Sequence, residues 1–465
     1  MAYNFVVEDR DQLYLLPVSV AEWLLEDHLA YFVLDAVEEM DLSVFYAGYR
    51  DDGWGGAARH PKTMVGLLLY SYCRGVRSSR QIERSCVVDV AFRVICANAG
   101  PDHTTIARFR QRHEQALKTL FTASLRLCAK AGMASVGLVA LDGTKMAANA
   151  SMQANRGKDA IDAEVEKMFA EAKAIDEAED AQFGTCRGDE PPATLRGRAD
   201  RRRRFAQARQ LLDAELEEQR AAHEARLAER AAEEQRRGAK LRGRKPKPPQ
   251  DKAGYQERKV NTTDPESKVM STAKGFVQGY NAQAVANAEQ VVLAAEVTDE
   301  HNDVGQLHPM IEATETSLAE AGIDERPEKL AADAGYACEE NFAALDADDP
   351  DCYVATRNMR NNPTPRTARR GPLRKDATLV EKMDRKVSVK KGRAIYRLRQ
   401  QIIEPVFGQI KDARGIRGFM RRGKAAADSE WKLICGTHNL LKLYRRALTN
   451  AAVAPYSRMA AGIVA

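Results

Sequence analysis

The stretch VGLVALDGTK, residues 136–145, decides the fold because a short apolar run ends there in polar residues. The run is rich in Val and Leu and predicts a buried strand. Asp142 closes this strand, and Gly143, Thr144 and Lys145 follow it. A carboxylate at the end of a buried strand needs an explanation, although an Asp after a strand most often forms a turn.

Further strand signals lie downstream and indicate an α/β fold. KGFVQGYNAQAVANAEQVVLAAEVT, residues 274–298, has two β-like runs around Ala286-Asn287-Ala288 and predicts a hairpin. EKLAADAGYA, residues 328–337, predicts a short strand that ends at Asp333, and CYVAT, residues 352–356, predicts another. A helical pattern separates the hairpin from these strands. Strands that alternate with helices predict an α/β core in which the two strand-end acids face one cleft.

Residues 1–132 predict a mainly helical domain. Pro61 is expected to open a helix that Gly75 ends, and Asp102 is expected to cap a long helix over 102–130. Near its start this long helix carries Arg108, Arg110 and Arg112. These arginines either read DNA or form the solvated basic face of a helical bundle.

Residues 153–255 differ in composition from both flanking segments and predict a basic helical insertion. The part from 201 to 245 is rich in good helix formers and poor in apolar residues, which indicates a long exposed helix or a helical hairpin. It either binds DNA or pairs with a second copy of the chain, but its weak apolar stripe argues against a long coiled coil.

Charge is distributed unevenly along the chain. The net charge is +5, but residues 357–424 hold 21 Lys and Arg against 5 Asp and Glu. Residues 194–260 hold 20 against 11. So concentrated a basic region predicts a polyanionic partner.

Composition also excludes several classes of protein. Hydrophobic residues make up 44% and charged residues 29%, as in a globular protein. There is no apolar run of the roughly 18 residues that a membrane span needs, and no signal peptide is expected. The eight Cys form no C-x-x-C pair, so they are expected to be free thiols rather than zinc ligands. These features predict a cytoplasmic protein.

A third acid, Glu404, follows Ile402-Ile403 and precedes Pro405-Val406-Phe407. By itself it is an ordinary helix residue, yet an acid in an apolar segment avoids burial unless it is paired or bound to metal. Together, Asp142, Asp333 and Glu404 fit a site for two Mg²⁺ ions, with Mn²⁺ as a possible substitute, because these hard cations prefer oxygen ligands. Two such ions commonly support in-line displacement at a phosphodiester.

Three motifs also resemble bacterial insertion-sequence transposases of the DDE class. They are LDGTK at 141–145, ADAGY at 332–336 and YRLRQQIIEPVFGQIK at 396–411. Outside these motifs, HPKTMVGLLLYSYCRGVRSSRQIE with PDHTTIARFR, TDPESKVM with KGFVQGYNAQAV, and THNLLKL show the same likeness. The resemblance implies a ribonuclease-H-like catalytic domain over 133–152 and 256–450, with a C-terminal tail over 451–465.

The resemblance also implies a role for each matching residue. Asp142, Asp333 and Glu404 correspond to the catalytic, metal-binding acids of the family. The family's third motif, Y-x2-R-x3-E-x6-K, matches Tyr396, Arg399, Glu404 and Lys411, except that four residues instead of three separate the Arg from the Glu. Because Arg397 lies seven residues before Glu404, on the same helical face, it is an alternative to Arg399 as the DNA contact.

The remaining assignments leave alternatives open. Tyr396 either contacts DNA, including a flipped base, or packs on its helix. Lys145 either contacts phosphate or stabilises the acidic cluster. Lys411 and Arg399 or Arg397 are expected to bind phosphates.

The expected function is metal-dependent cleavage at terminal inverted repeats and transfer of the freed 3′-OH into target double-stranded DNA. A homodimer, associated with the nucleoid when bound to DNA, is implied because two ends must be cut together. The alternatives are an inactive, domesticated DNA-binding regulator and a ribonuclease-H-like nuclease that does not join ends.

Overall fold

The computed structural model describes most of the chain and shows helices around a mixed sheet. The residues it describes are 19, 22–49, 58–168, 170, 193–240, 245–246, 248, 259–272, 275–357, 371 and 373–453. Predictions for most of the C-terminal tail, for the central part of the basic loop and for parts of the insertion fall outside these residues. Within them, no helix has the length and apolar character needed to cross a membrane.

Short helices form the N-terminal part of the described chain. They are α1 Leu29–Glu38, α2 Ser43–Tyr46, α3 Pro61–Cys73, α4 Ser79–Val88, α5 Val90–Ile95, α6 His103–Arg112 and α7 Glu114–Lys130. Pro61 lies in the first turn of α3, and Gly75, with a φ of 75°, follows its end. Asp102 caps α6 by accepting the backbone N–H of Thr105 at 2.8 Å. These three predicted helix signals are confirmed.

The single long helix predicted over 102–130 is wrong, because the chain turns at His113. The φ of −104° and ψ of 28° at His113 are not helical and separate α6 from α7. The buried His113 ring lies 4.5 Å from the Phe109 ring and 5.4 Å from the Phe45 ring, centroid to centroid. Packing of this ring therefore outweighs the helical propensity of the sequence around it.

In the part of the chain that the structure describes, the strands form one six-stranded sheet and one two-stranded sheet. They are β1 Leu138–Ala147, β2 Asn155–Arg156, β3 Val260–Asn261, β4 Lys268–Thr272, β5 Gly275–Asn287, β6 Val292–Thr298, β7 Lys329–Ala332 and β8 Asp351–Val354. The predicted hairpin is β5–β6, and Asn287 Oδ1 closes its turn by accepting the N–H groups of Glu289 and Val291 at 3.1 and 3.0 Å.

β1 lies at the centre of the large sheet. It pairs antiparallel with β5 on one side and parallel with β7 on the other, and β8 extends the parallel side. On the outer edge of β5, β4 pairs with its first half and β6 with its second half. This mixed sheet confirms the predicted α/β core.

In the described part of the insertion between β1 and β4, two helices pack around a small core of their own. β2 and β3 pair at the base of the insertion, and α8, residues 158–168, packs against α9, Ala193–Arg237. Ile161 from α8 meets Phe205 and Leu212 from α9 in this core. Ion pairs such as Asp162 with Arg209, at 3.2 Å, join the same two helices. Residues 201–237 lie in one continuous, mostly exposed helix, so of the two predicted arrangements the long exposed helix is the one observed.

The remaining helices cover the large sheet and connect it to the N-terminal helices. They are α10 Leu307–Glu320, α11 Glu339–Ala343, α12 Leu379–Ser388, α13 Lys390–Gly408 and α14 Lys424–Val453. α13 packs on β1, β5, β7 and β8, whereas α14 packs on β6 and also on α3 and α7. One apolar cluster therefore runs from α1 to α14, and the predicted boundary near residue 132 marks a change of secondary structure within a shared core.

Glu430 of α14 holds a buried polar junction between the N-terminal and C-terminal parts of the chain. Its Oε1 lies 2.9 Å from Arg77 Nη1, and its Oε2 accepts the N–H groups of Met420 and Arg421 at 2.8 and 3.2 Å. Tyr72 donates a longer hydrogen bond to Oε1, at 3.4 Å. Only 1% of the Glu430 side chain is exposed, so water cannot readily replace this carboxylate as the acceptor for its hydrogen-bond partners.

We expect Glu430→Ala to lower the free energy of unfolding by roughly 3–5 kcal/mol, because it leaves Arg77 buried without its counter-ion. Urea unfolding, followed by circular dichroism, measures this loss. Glu289→Ala is the matched control, since the half-exposed Glu289–Arg446 pair at 3.6 Å contributes at most about 1 kcal/mol. Equal losses in the two variants would contradict the prediction.

Candidate active site

Asp142 and Asp333 lie next to each other because β1 and β7 are parallel neighbours. In the register of this pair, Leu141 is level with Ala332, so the next residue on each strand is an acid. β7 ends before Asp333, as predicted. β1 does not end at Asp142 but continues to Ala147, since β5 pairs with it over that length. Asp142 is therefore at the point where β1 loses its β7 neighbour.

The Asp142 carboxylate is largely buried and paired with a single cation. Its Oδ2 lies 2.8 Å from Arg399 Nη1, and its Oδ1 accepts the N–H of Gly143 at 2.9 Å. Burial raises the pKa of Asp142 to about 6, against the opposing effect of Arg399, and the charge of Asp333 adds to the increase. Asp333 Oδ1 accepts the N–H of Gly335 at 2.8 Å.

Arg399 reaches this site although its sequence spacing departs from the family motif. It lies on the buried stripe of α13 with Ile402, Ile403 and Val406. The Arg399 guanidinium lies 5.9 Å from the centre of the half-buried Tyr396 ring, and burial raises the pKa of Tyr396. The alternative residue, Arg397, is exposed to solvent.

Glu404 is not part of the buried group. It is exposed, whereas the neighbouring Ile402, Ile403 and Val406 are buried, so the apolar segment around it does not enclose the acid. Among the described residues, no three His, Cys, Asp or Glu side chains are arranged to hold a metal ion. Asp142, Asp333 and Glu404 therefore do not form a metal-binding triad as their side chains stand.

The side chain of Lys411 points to β1 and binds two of its residues, whereas the side chain of Glu404 is exposed to solvent. A π-helical turn over Gln409–Ala413 follows α13, so Glu404 and Lys411 do not lie on one continuous α-helix. Lys411 Nζ donates to Thr144 Oγ1 at 2.5 Å and to the Lys145 carbonyl at 2.8 Å. Burial lowers the pKa of Lys411.

The other face of β1 carries a polar network that the motifs did not predict. Asp303, just before α10, accepts hydrogen bonds from Asn281 Nδ2 at 2.6 Å and Gln283 Nε2 at 2.8 Å. Lys145 Nζ lies 3.5 Å from the same oxygen, Asp303 Oδ1, which favours the interpretation that Lys145 stabilises acidic groups. The only sequence signal for Asp303 was its position at the start of the predicted helix.

Tyr336 connects this network to the first two acids. Its hydroxyl donates to Gln283 Oε1. Burial raises the pKa of Tyr336 well above its usual value, and the charges of Asp303, Asp142 and Asp333 act in the same direction. All three carboxylates therefore lie within electrostatic range of one buried phenol.

The predicted arginines of α6 fall into two groups. Arg108 and Arg112 are exposed, and the Arg112 guanidinium lies 4.6 Å from the Tyr49 ring centre. Arg110 is buried and donates to the Arg77 carbonyl at 2.8 Å and to Tyr72 at 3.3 Å. The expected DNA contact from Arg110 is therefore withdrawn, because its guanidinium holds neighbouring parts of the chain together.

A basic cleft of about 760 Å³ lies at the far end of β1. Arg417 and Arg422 line it together with Arg77 and the segment 147–151. Arg417 is paired with the exposed Asp412 at 2.8 Å, and Arg422 donates to the Asn149 carbonyl at 3.0 Å. Both arginines are exposed to solvent in the cleft, where an anionic ligand can contact them.

Comparison with known proteins agrees with these features. One family model, described as a transposase domain (DUF772), matches residues 18–112, and a second, described as a transposase DDE domain, matches residues 349–444. The first match contains α1–α6, and the second contains α13 with Glu404. No curated protein and no solved structure matches. Together the two matches support an insertion-sequence transposase of the DDE class.

We expect the Asp142→Asn variant to gain stability relative to the wild type as the pH rises. The folded-state pKa of about 6 exceeds the unfolded value of about 3.9, so the free energy of unfolding of the wild type falls as pH rises between them. Between about pH 4 and pH 7 the difference should shift by roughly 2–3 kcal/mol in favour of the variant. Urea unfolding in EDTA at both pH values measures it, and a pH-independent difference would contradict the assignment.

Proposed function

We propose that the protein is a DNA transposase that cleaves phosphodiesters at element ends and joins the freed 3′-OH to target DNA. The observation that carries the proposal is the pair of acids that directly follow the paired residues Leu141 and Ala332 of adjacent parallel strands, with Arg399 beside Asp142. The matches to two transposase domains support the same class.

Strand order supports a ribonuclease-H-like catalytic core. The order β6–β5–β1–β7–β8, with β5 antiparallel and the last three strands parallel, puts the two acids on neighbouring central strands. α13 then crosses the face of the sheet and delivers Arg399 to Asp142. The helical insertion between β1 and β4, which contains α8 and α9, does not interrupt this strand order.

In the proposed reaction, water attacks the phosphorus at the element end, and the bond to the leaving 3′ oxygen breaks. The freed 3′-OH then attacks the phosphorus of a target phosphodiester. A bond forms between that phosphorus and the element's 3′ oxygen, the bond to the target's own 3′ oxygen breaks, and that oxygen leaves as a 3′-OH. Arginine is suited to phosphate oxygens because its guanidinium is planar and always charged. Arg399 is held beside Asp142 by their ion pair. In the proposed complex the guanidinium of Arg399 also contacts a phosphate oxygen of the DNA.

Divalent metal is part of the proposal. Two Mg²⁺ ions, or Mn²⁺ in their place, are what the resemblance implies, and they would polarise phosphoryl oxygens when bound. The hard oxygen donors of Asp142 and Asp333 suit these ions. Glu404, however, does not join them in the described arrangement.

Contacts with the DNA backbone are proposed for exposed cations near the site. Arg397 on α13, Arg108 and Arg112 on α6, and Arg417 and Arg422 in the basic cleft are all exposed or line open space. Lys411 and Arg110 are omitted because their charged groups hold β1 and the N-terminal helices. A second copy of the chain is expected at the other element end.

We expect Asp142→Asn or Asp333→Asn to reduce nicking and strand transfer by at least about 100-fold, since removal of a group that acts in the transition state costs a few kcal/mol. The assay uses element-end DNA and a target plasmid with Mg²⁺ or Mn²⁺. Asp348→Asn, at an exposed acid before β8, is the control. Normal cutting by either active-site variant would refute the site.

A second candidate is a DNA-binding regulator without catalytic activity. The exposed Glu404 favours it, since no three His, Cys, Asp or Glu side chains among the described residues are arranged to hold a metal ion. In the same assay this protein binds DNA but neither nicks nor joins it. A nuclease related to ribonuclease H would nick the DNA and leave the ends unjoined.

We expect Arg397→Ala to weaken binding to all DNA sequences to a similar extent, since phosphate contacts carry no base information. It should also reduce the slope of log K against log salt by about 1. Fluorescence anisotropy at several salt concentrations measures both quantities. Arg446→Ala, a change at a half-exposed arginine of α14, is the control. An unchanged salt slope in Arg397→Ala would exclude the contact.

A further inference from the structure

Asp303 occupies a space that two glycines leave open between β1 and β7. A Cβ on Gly335 would lie 3.0 Å from Asp333 Oδ1 and 3.2 Å from Asp303 Oδ2. A Cβ on Gly143 would lie 2.6 Å from Asp303 Oδ1. A side chain at Gly143 would displace the Asp303 carboxylate, and one at Gly335 would crowd both carboxylates. The two glycines therefore make room for Asp303 beside Asp333.

Hydrogen bonds fix the orientation of the Asp303 carboxylate. Asn281 and Gln283 both donate to Oδ1, and Lys145 Nζ approaches the same oxygen. With Oδ1 held in this way, Oδ2 faces the side on which Asp333 lies. The Asp303 side chain is 22% exposed, so a small ion can reach it from solvent.

Asn281 supplies an independent sign of a missing ligand. Its side chain is fully buried, and its Oδ1 has no hydrogen-bond partner among the described residues. This oxygen lies 2.9 Å, and Asp303 Oδ1 lies 2.6 Å, from the Cβ position of Gly143, so both oxygens border the space over that glycine. A buried acceptor without a donor is costly, and a cation satisfies it.

We propose that Asp303 and Asp333, with Asn281 beside them, bind a divalent cation in the DNA-free protein. Asp303 then supplies the carboxylate that Glu404 does not bring to the buried site. Carboxylate and amide oxygens are the donors that Mg²⁺, Mn²⁺ and Ca²⁺ prefer. This inference rests on the proposed function only in taking Asp333 as part of the active site.

Lys145 is the natural occupant of this site when the cation is absent. Its ammonium, 3.5 Å from Asp303 Oδ1, neutralises part of the acidic charge. A divalent ion bound at Oδ2 is repelled by this nearby ammonium. Lys145→Met is therefore expected to bind the ion at least as tightly as the wild type.

The test is titration of the full-length, DNA-free protein with Mn²⁺, using the electron paramagnetic resonance signal of the free ion. We expect Asp303→Asn and Asp333→Asn each to weaken binding at least about tenfold, whereas Glu404→Gln changes it less than about twofold. Asp348→Asn is the matched control at an exposed acid. Near-ultraviolet circular dichroism checks that each variant is folded.

Two outcomes would overturn the proposal. If Asp303→Asn binds Mn²⁺ as the wild type does, Asp303 only orients Lys145 and the amides. If Glu404→Gln loses as much affinity as Asp303→Asn, the ion is held by the set of acids that the family resemblance implies. Loss of binding in Asp303→Asn together with unchanged binding in Glu404→Gln supports the site.

The same titration separates this proposal from the proposed function. If the wild type binds Mn²⁺ through Asp303 but neither cuts nor joins DNA, the cation site stands and the transposase activity fails. If the wild type cuts and joins DNA while Asp303→Asn binds Mn²⁺ normally, the activity stands and this cation site fails.

Discussion

The ion pair between Asp142 and Arg399 is the interaction on which the rest of the site depends. An aspartate in the central strand of a sheet, covered by a helix, loses most of its hydration. The ion pair with Arg399 compensates part of the lost hydration of the carboxylate. The carboxylate in turn compensates the charge of Arg399, a residue that is itself only 8% exposed. Neither group is stable there without the other, so the pair fixes how α13 lies across β1.

The unequal lengths of the central strands leave room for further polar groups beside this pair. β7 stops one residue before Asp333, whereas β1 runs on past Asp142 along β5. The open space beside the longer strand admits Asp303, Lys145 and the amides of β5. Each face of β1 therefore carries an acid paired with a base. Asp142 is paired with Arg399 on one face, and Asp303 is next to Lys145 on the other.

Local sequence signals predict most strands of the sheet and two acids of the candidate site, Asp142 and Asp333. Apolar runs that end in Asp142 and Asp333 are local signals, and the hairpin at Asn287 is equally local. Three features depend on tertiary packing and left no such signal. The break at His113 comes from ring packing, and the exposure of Glu404 comes from the direction in which α13 presents its apolar stripe.

Asp303 is the third of these features. It is distant in sequence from both of the other acids, and only the folded sheet brings it to them. The π-helical turn at Lys411 shows the same limitation, because a change in backbone periodicity ends the α-helix between Glu404 and Lys411.

The position of α14 has a consequence for how the chain acquires its structure during synthesis. This helix packs on α7, although about 300 residues of sequence lie between the two helices, and also on the still earlier α3. Ribosomes add roughly 5–20 residues per second, so α7 leaves the ribosome about 15–60 s before its partner helix is made. For that interval its apolar face has no permanent cover, and the newly made N-terminal helices depend on transient partners or chaperones to remain unaggregated.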